Sequence, residues 1–96
     1  MTDITHVNDL GECRSAIEAI DRGIIELLRD RLVLAKRSGE LKHAKGLPVL
    51  DPQREAQVIR IVVANARDAG LDEESVRGIF WHILGMSRRA QQPDKG

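Results

Sequence analysis

The most constraining feature of the sequence is an unbroken helical pattern that runs from Leu10 to about His43. Apolar residues recur in this stretch with the spacing of one helix face; they are Cys13, Ile17, Ile20, Ile24, Leu27, Leu34 and Leu41. No proline interrupts the stretch, and Gly23 and Gly39 each lower helix propensity by only about 1 kcal/mol relative to alanine. We therefore predict one long first helix that ends at His43 or Ala44.

This predicted helix is too long to be covered by its own chain. At about 1.5 Å per residue it measures roughly 50 Å. A compact chain of 96 residues is only roughly 30 Å across. An apolar stripe that extends beyond the fold has to be covered by another surface, and a second copy of the same helix is the simplest one. The pattern thus predicts an obligate homodimer.

Local signals predict two shorter helices in the rest of the chain. The stretch Lys45–Pro48 reads as a stop and turn, because glycine accepts a left-handed cap and proline bars further helix. At Asp51-Pro52 an aspartate cap and a first-position proline begin the second helix, which Gly70 ends. Asp72 caps the third helix, which finishes at Gln91–Pro93.

Together these patterns define the fold class as all-α, with three helices per chain, one long and two shorter. The predicted buried residues of the shorter helices are Val58, Ile59, Val62, Val63, Ala66, Ala69, Val76, Ile79, Phe80, Ile83 and Leu84. No stretch alternates with the period of a strand. We expect a single domain over residues 1–96, with residues 1–9 and 93–96 mobile.

Composition excludes several classes of protein. Fifteen basic and fifteen acidic residues cancel, which argues against a partner that is nucleic acid or a membrane surface. The single cysteine excludes an internal disulfide and fits a reducing compartment. No signal peptide and no long apolar run is present, so we expect a cytoplasmic protein without a membrane span. The three histidines lack ligand spacing, which argues against a metal site.

Cationic side chains interrupt the apolar pattern of the first helix. Arg31 lies where the stripe predicts an apolar residue. Lys42 follows on the same face, roughly 16 Å further along the helix axis, and the space between these cations suits a small dianion. In an antiparallel dimer whose two-fold axis passes near residue 26, the partner's Arg14 would lie opposite residue 38. Three cations therefore converge only if two chains build the pocket.

Polar residues of the shorter helices also lie at positions where an apolar face or a helix end is predicted. Ser87 and Gln91 continue the buried row of the third helix in polar form, and Arg54 and Glu55 lie at the start of the second helix. Each also has an ordinary alternative as a solvated first-turn residue or a frayed end. No nucleophile–base pair or glycine-rich phosphate loop is present. The set favours a pocket that binds a polyanion and stabilises shifting charge without proton transfer.

The order and spacing of these residues match a known family. Over nearly its whole length, the chain resembles the small all-helical chorismate mutases of the AroQ type. The motifs that carry the resemblance are Arg14, Ile20-Asp21, Asp30-Arg31, Gly39-Glu40-Leu41-Lys42, Pro48-Val49-Leu50-Asp51, Arg54-Glu55, and Ser87 with Gln91.

The resemblance implies an intertwined homodimer with antiparallel long helices and two identical sites. It implies the Claisen rearrangement of chorismate to prephenate without a cofactor. By likeness, Arg31 and the partner's Arg14 hold the two carboxylates of chorismate. Lys42 and Gln91 hydrogen-bond the ether oxygen of the breaking bond. Such an enzyme acts by conformational restraint and by electrostatic stabilisation of that oxygen.

The remaining site residues follow from the same likeness. Asp51 and Glu55 would position the ring hydroxyl, and Arg54 and Ser87 would complete the polar wall. The residues expected to be catalytic are Lys42, Gln91, Arg31 and Glu55.

Two departures from the family pattern leave alternatives open. Ser38 and Arg88 stand where apolar residues are expected, and either can tune the choice of substrate. The nearest alternatives on the same scaffold are isochorismate–pyruvate lyase and 4-amino-4-deoxychorismate mutase, against which Glu55 favours chorismate. An alternative from another class is a helical dimerisation module. That alternative predicts apolar residues where this chain has Arg31, Ser87 and Gln91.

Overall fold

The structure is a computed structural model that describes Ile4 and residues 6–92. It contains α1 (Leu10–Ala44), α2 (Pro52–Asp68) and α3 (Glu73–Gln91), and the described residues form no strand. The all-α fold class and the three helices are therefore confirmed. The mobility expected at residues 93–96, and at residues 1–3 and 5, lies outside the described residues.

The chain divides into two units, residues 1–31 and residues 32–96. The first unit holds the lead-in and the larger part of α1. The second holds the last turns of α1 together with α2 and α3.

In the first unit, polar residues before α1 fix where the helix begins. The Asp9 carboxylate accepts a hydrogen bond from the backbone N–H of Glu12 at 2.8 Å. The Glu12 carboxylate accepts one from the backbone N–H of Asn8 at 3.0 Å. The first bond satisfies a backbone donor that the first turn of a helix cannot pair internally, and the second ties the preceding residue to that turn, which favours a helix that begins at Leu10.

The apolar stripe of α1 remains uncovered in this unit. Ile17, Ile20, Ile24 and Leu27 are between 42% and 69% exposed. A contiguous apolar face of this kind is unusual on the surface of a soluble monomer. The sequence placed these residues on one face, and the chain itself does not bury that face.

In the second unit, two turns have the geometry that the sequence predicts. Gly46 has a φ of 69°, and the backbone N–H of Leu47 donates to the Lys42 carbonyl at 2.8 Å. Gly70 has a φ of 74°, and the N–H of Leu71 donates to the Ala66 carbonyl at 2.8 Å. Both glycines end a helix in the left-handed conformation that side chains disfavour.

Aspartates cap both shorter helices. Asp51 accepts from the backbone N–H of Arg54 at 3.0 Å. Asp72 accepts from the hydroxyl of Ser75 at 2.6 Å and from its backbone N–H at 2.9 Å. Because these two hydrogen bonds favour the charged form, they hold the pKa of Asp72 below its usual value.

The core of the second unit lies between α2 and α3. Ile59 and Ala66 of α2 and Leu84 and Ser87 of α3 are buried. Most other predicted core residues of these helices are half-buried. In the described residues no large side chain is fully buried, so the core of one chain is thin for its size.

Two predicted core residues are exposed instead. Ala69 follows the last residue of α2 and caps the helix, so it lies beyond the packed face. Ile79 is exposed because it lies at the edge of the buried stripe of α3 rather than at its centre. In the described part of the chain, none of the helices has both the length and the hydrophobicity needed to cross a membrane.

Candidate active site

Lys42, in the last turn of α1, connects the elements of the candidate site. Its Nζ donates to the Val49 carbonyl and to Oε1 of Gln91, each at 3.0 Å. A lysine ammonium has three donors and no acceptor. The amide of Gln91 must therefore present its oxygen to Lys42, which leaves its N–H₂ group and the third Lys42 donor for another partner. Both groups are half-buried and hold each other in place.

A glycine makes this pairing geometrically possible. Gly39 lies one turn before Lys42 and is buried. A Cβ atom at this position would lie 2.8 Å from the backbone oxygen of Gln91 and 3.0 Å from its Cα. The end of α3 can therefore approach α1 this closely only over a residue without a side chain. The helical pattern only tolerates Gly39, and the motif that contains Gly39 does not indicate that α3 approaches it so closely.

A cleft opens beside Lys42 at the turn between α1 and α2. Its volume is about 350 Å³. Leu47, Pro48 and Leu50 supply apolar walls, and Lys42 and Asp51 place a cation and a carboxylate at its edge. Apolar walls with a few charged groups are typical of a site for a small polar molecule.

The second predicted acidic residue, Glu55, lies in the first turn of α2. Its Oε2 is 3.3 Å from Nε of Arg88, which belongs to the last turn of α3. Arg88 stood out in the sequence only as a departure from the family pattern. Its pairing with Glu55 could not be read from the sequence, because the two residues are far apart along the chain.

The two remaining polar residues of the second unit have local partners. Ser87 is buried, and its hydroxyl donates to the Ile83 carbonyl at 3.0 Å. The guanidinium of Arg54 donates to Oε1 of Gln57 at 2.7 Å on the exposed surface of α2. The predicted carboxylate-binding residues belong to the first unit, where Arg14 is exposed and Arg31 is half-buried.

The structure thus brings together some of the predicted residues. Lys42 contacts Gln91 directly and borders the same cleft as Asp51. Glu55 pairs with Arg88, and Arg54 with Gln57. In the described part of the chain, no cluster of histidine, cysteine and acidic residues is arranged to hold a metal ion.

The model of one protein family, chorismate mutase type II, matches residues 13–92. The chain belongs to this family. The resemblance to the all-helical chorismate mutases that the sequence motifs carried is therefore confirmed. The match covers all of the predicted site residues.

Curated relatives place this chorismate mutase type II domain in different contexts. The T-protein of Haemophilus influenzae is 33% identical over 75 residues, which cover 78% of this chain and 20% of the relative. The chorismate mutase of Methanocaldococcus jannaschii is 29% identical over 86 residues, which cover 90% of this chain and 87% of the relative. The chain therefore spans about a fifth of the first relative and most of the second.

A third relative is named for a different activity. The 4-amino-4-deoxychorismate mutase of Streptomyces pristinaespiralis is 31% identical over 75 residues, which cover 78% of this chain and 58% of the relative. The relatives of this chain are therefore named for mutase activities on two different compounds.

Proposed function

We propose that this chain is a chorismate mutase that converts chorismate to prephenate. The observation that carries the proposal is the pairing of Lys42 with Gln91 at 3.0 Å, beside a cleft with a carboxylate at its edge. Membership of the chorismate mutase type II family supports the same activity.

The chemistry of the rearrangement suits a pair of fixed donors. The reaction breaks the ether C–O bond and forms a C–C bond within one molecule, and negative charge grows on the ether oxygen in the transition state. Donors that are already in position stabilise that charge more than they stabilise the substrate. The third N–H of Lys42 and the amide N–H of Gln91 would serve as these donors, and their mutual hydrogen bond orients them before substrate binds.

We assign the two carboxylates of chorismate to arginines of two chains, Arg31 and the partner's Arg14. Guanidinium groups match carboxylates in geometry and charge, so they would hold the substrate in the conformation that reacts. This assignment requires a homodimer with antiparallel α1 helices. The exposed stripe of α1 supports it, because residues such as Leu27 and Leu34, each 69% exposed, need a covering surface.

The remaining polar residues would form the wall around the ring. Asp51 and Glu55 would position the ring hydroxyl, and Ser87 would lie near a carboxylate. Arg54 would join them by giving up its hydrogen bond to Gln57. This bond is exposed, so its loss costs little free energy. No cofactor takes part in this scheme. The single cysteine is compatible with a cytoplasmic enzyme.

A second candidate has specific support from a relative. The similarity to the 4-amino-4-deoxychorismate mutase of Streptomyces pristinaespiralis favours the same rearrangement on a substrate with an amino group in place of the hydroxyl. The two activities differ in the group that would face Glu55.

The proposal is tested by adding purified protein to chorismate, following the loss of chorismate absorbance and identifying the product by chromatography. Lys42→Ala should lower kcat by about 10²–10³-fold, the usual effect of removing one preorganised donor. Lys36→Ala removes an exposed lysine of the same helix and should leave turnover unchanged. If Lys42→Ala retained full turnover, Lys42 would not have the function assigned to it. Chorismate left unconverted by the wild-type chain would contradict the proposed activity.

A further inference from the structure

Arg88 forms an ion pair that the proposed reaction does not use. It follows the buried Ser87 in the last turn of α3, at a position where the family pattern leads us to expect an apolar residue. Its Nε lies 3.3 Å from Oε2 of Glu55 and 3.5 Å from the Leu84 carbonyl oxygen. The guanidinium therefore lies back along α3, towards the preceding turn, as side chains of helices do.

Two arginine side chains of α3 lie near Gly85. A Cβ atom on Gly85 would lie 3.6 Å from Nη1 of Arg89 and 3.8 Å from Nη2 of Arg88, and both are ordinary van der Waals distances. The Arg88 guanidinium thus lies beside the preceding turn of its own helix while it pairs with the carboxylate on α2. Two helices together place a positive charge next to Glu55.

The exposure of the pair indicates what it contributes. The side chain of Glu55 is 18% exposed and that of Arg88 is 45% exposed. Ion pairs with a solvated partner contribute little to stability. The main effects of this pair are therefore to fix the orientation of the Glu55 carboxylate and to neutralise its charge locally. Arg88 contacts Oε2 of Glu55, so the second carboxylate oxygen, Oε1, can accept a hydrogen bond from a ligand.

We propose that Arg88 is a specificity-determining residue, which makes the site at Glu55 favour a neutral hydroxyl over a cationic amine. The inference rests on the proposed function, in which Glu55 faces the ring hydroxyl of chorismate. A hydroxyl donates to the carboxylate whether or not a cation lies beside it. A primary amine is largely protonated at pH 7. An ammonium at this position is attracted by Glu55 but repelled by Arg88, so the pair cancels most of its advantage.

The experiment compares chorismate with 4-amino-4-deoxychorismate as substrates of the wild-type chain and of Arg88 variants. The measured quantity is the ratio of kcat/KM for the amino substrate to kcat/KM for chorismate. Arg88→Gln removes the positive charge and should raise this ratio about tenfold, the effect expected of one nearby charge in a partly solvated site. Arg88→Met, which keeps an aliphatic side chain, should raise the ratio similarly and provides a second neutral variant.

Two further variants test whether the effect depends on the positive charge and whether that charge must be at position 88. Arg88→Lys keeps the charge and should keep the wild-type ratio. Arg89→Gln removes the same charge from the neighbouring residue, whereas the ion pair of Glu55 is with Arg88, and should also leave the ratio unchanged. Thermal unfolding of each variant checks that the fold is retained.

The possible results distinguish this inference from the proposed function. Suppose that the wild-type chain converts chorismate but neutral substitutions at Arg88 do not raise the ratio. This result would contradict the proposal that Arg88 determines specificity and would leave the proposed mutase activity unaffected. An equal rise in Arg88→Lys or in Arg89→Gln would also overturn it. A wild-type chain that converts neither substrate would overturn the proposed function and this inference with it.

Discussion

The two units of the chain differ in how completely they bury their own apolar residues. In the second unit, α2 and α3 pack against each other, and the end of α3 is held at Gly39 and Lys42. In the first unit, the apolar stripe of α1 is exposed along its length. The packed faces of α2 and α3 in the second unit thus cover each other in large part, whereas the stripe in the first unit stays exposed. We propose that this exposed stripe is the interface with a second chain.

The largest expected effect comes from breaking the proposed interface of the first unit. Ile24 is 50% exposed and lies close to the proposed two-fold axis near residue 26, so Ile24→Glu would introduce two charges into one apolar interface. We expect the dimer to dissociate and chorismate turnover to fall to background. Analytical ultracentrifugation and an activity assay at the same protein concentration measure both effects.

The matched control for this variant lies in the second unit. Ile61 is 47% exposed on α2, so Ile61→Glu adds the same charge at a similar exposure. The control should keep both its oligomeric state and its activity. The proposed interface on α1 would be contradicted if the Ile24→Glu variant remained a dimer, or if the two substitutions had equal effects on oligomeric state and activity.

A substitution in the second unit should have the next largest effect. In Gly39→Ala the new Cβ would meet the backbone of Gln91 at 2.8 Å, so the end of α3 must move away from Lys42. We expect kcat to fall about a hundredfold, because Gln91, the proposed donor to the ether oxygen, is displaced. Steady-state kinetics with chorismate measure the loss.

Gly78→Ala serves as the control for Gly39→Ala. Gly78 is exposed on α3, and a Cβ there would meet nothing within 4 Å. This substitution should leave kcat unchanged and stabilise the helix by about 1 kcal/mol. Unaltered kcat in Gly39→Ala would show that the close approach of α3 does not matter for the reaction.

The smallest expected effect concerns the cap of α3. The hydrogen bonds from Ser75 lower the pKa of Asp72 from its usual value of 3.8. A lowered folded-state pKa means that the cap stabilises the fold above pH 3.8 and loses this contribution as the pH falls through the folded-state pKa. Asp72→Ala should therefore lower Tm slightly at pH 7, with a smaller difference from wild type under acidic conditions.

Asp72→Asn is the control for this pH dependence. Asparagine retains an acceptor oxygen at the cap but does not titrate. Its Tm difference from wild type should therefore increase as the pH rises through the pKa of Asp72, where the wild-type carboxylate ionises. At higher pH the difference should stay constant. A Tm difference of Asp72→Ala that is the same at pH 7 and under acidic conditions would argue against an ionised cap.

Local sequence signals were sufficient for the helices because the interactions that bound them are local. Asp51 and Asp72 cap their helices by accepting a hydrogen bond from the backbone N–H three residues later. Gly70 ends a helix through its own φ angle. The contacts of the candidate site are not local. Lys42 and Gln91 are 49 positions apart, so no periodicity predicts their hydrogen bond. The family resemblance predicted both residues as site residues, but only the structure shows their hydrogen bond.

The same distinction explains what the sequence missed. A glycine within a helix is compatible with many environments, so the close approach of Gln91 to Gly39 could not be read from the pattern. Arg88 differed from expectation, but its partner Glu55 lies on another helix. The residue types of the site were predictable, whereas the pairings between helices depend on packing that the linear sequence does not display.

The central claim is that each site takes Arg14 from one chain and Lys42 from the other. It is tested most directly by mixing two inactive variants, Arg14→Ala and Lys42→Ala, under conditions that exchange subunits. In a mixed dimer one site has both wild-type residues and the other has neither. Because about half of the dimers are mixed, activity should recover to about a quarter of the wild-type value. A mixture no more active than its two components, although mass analysis shows mixed dimers, would contradict the shared site.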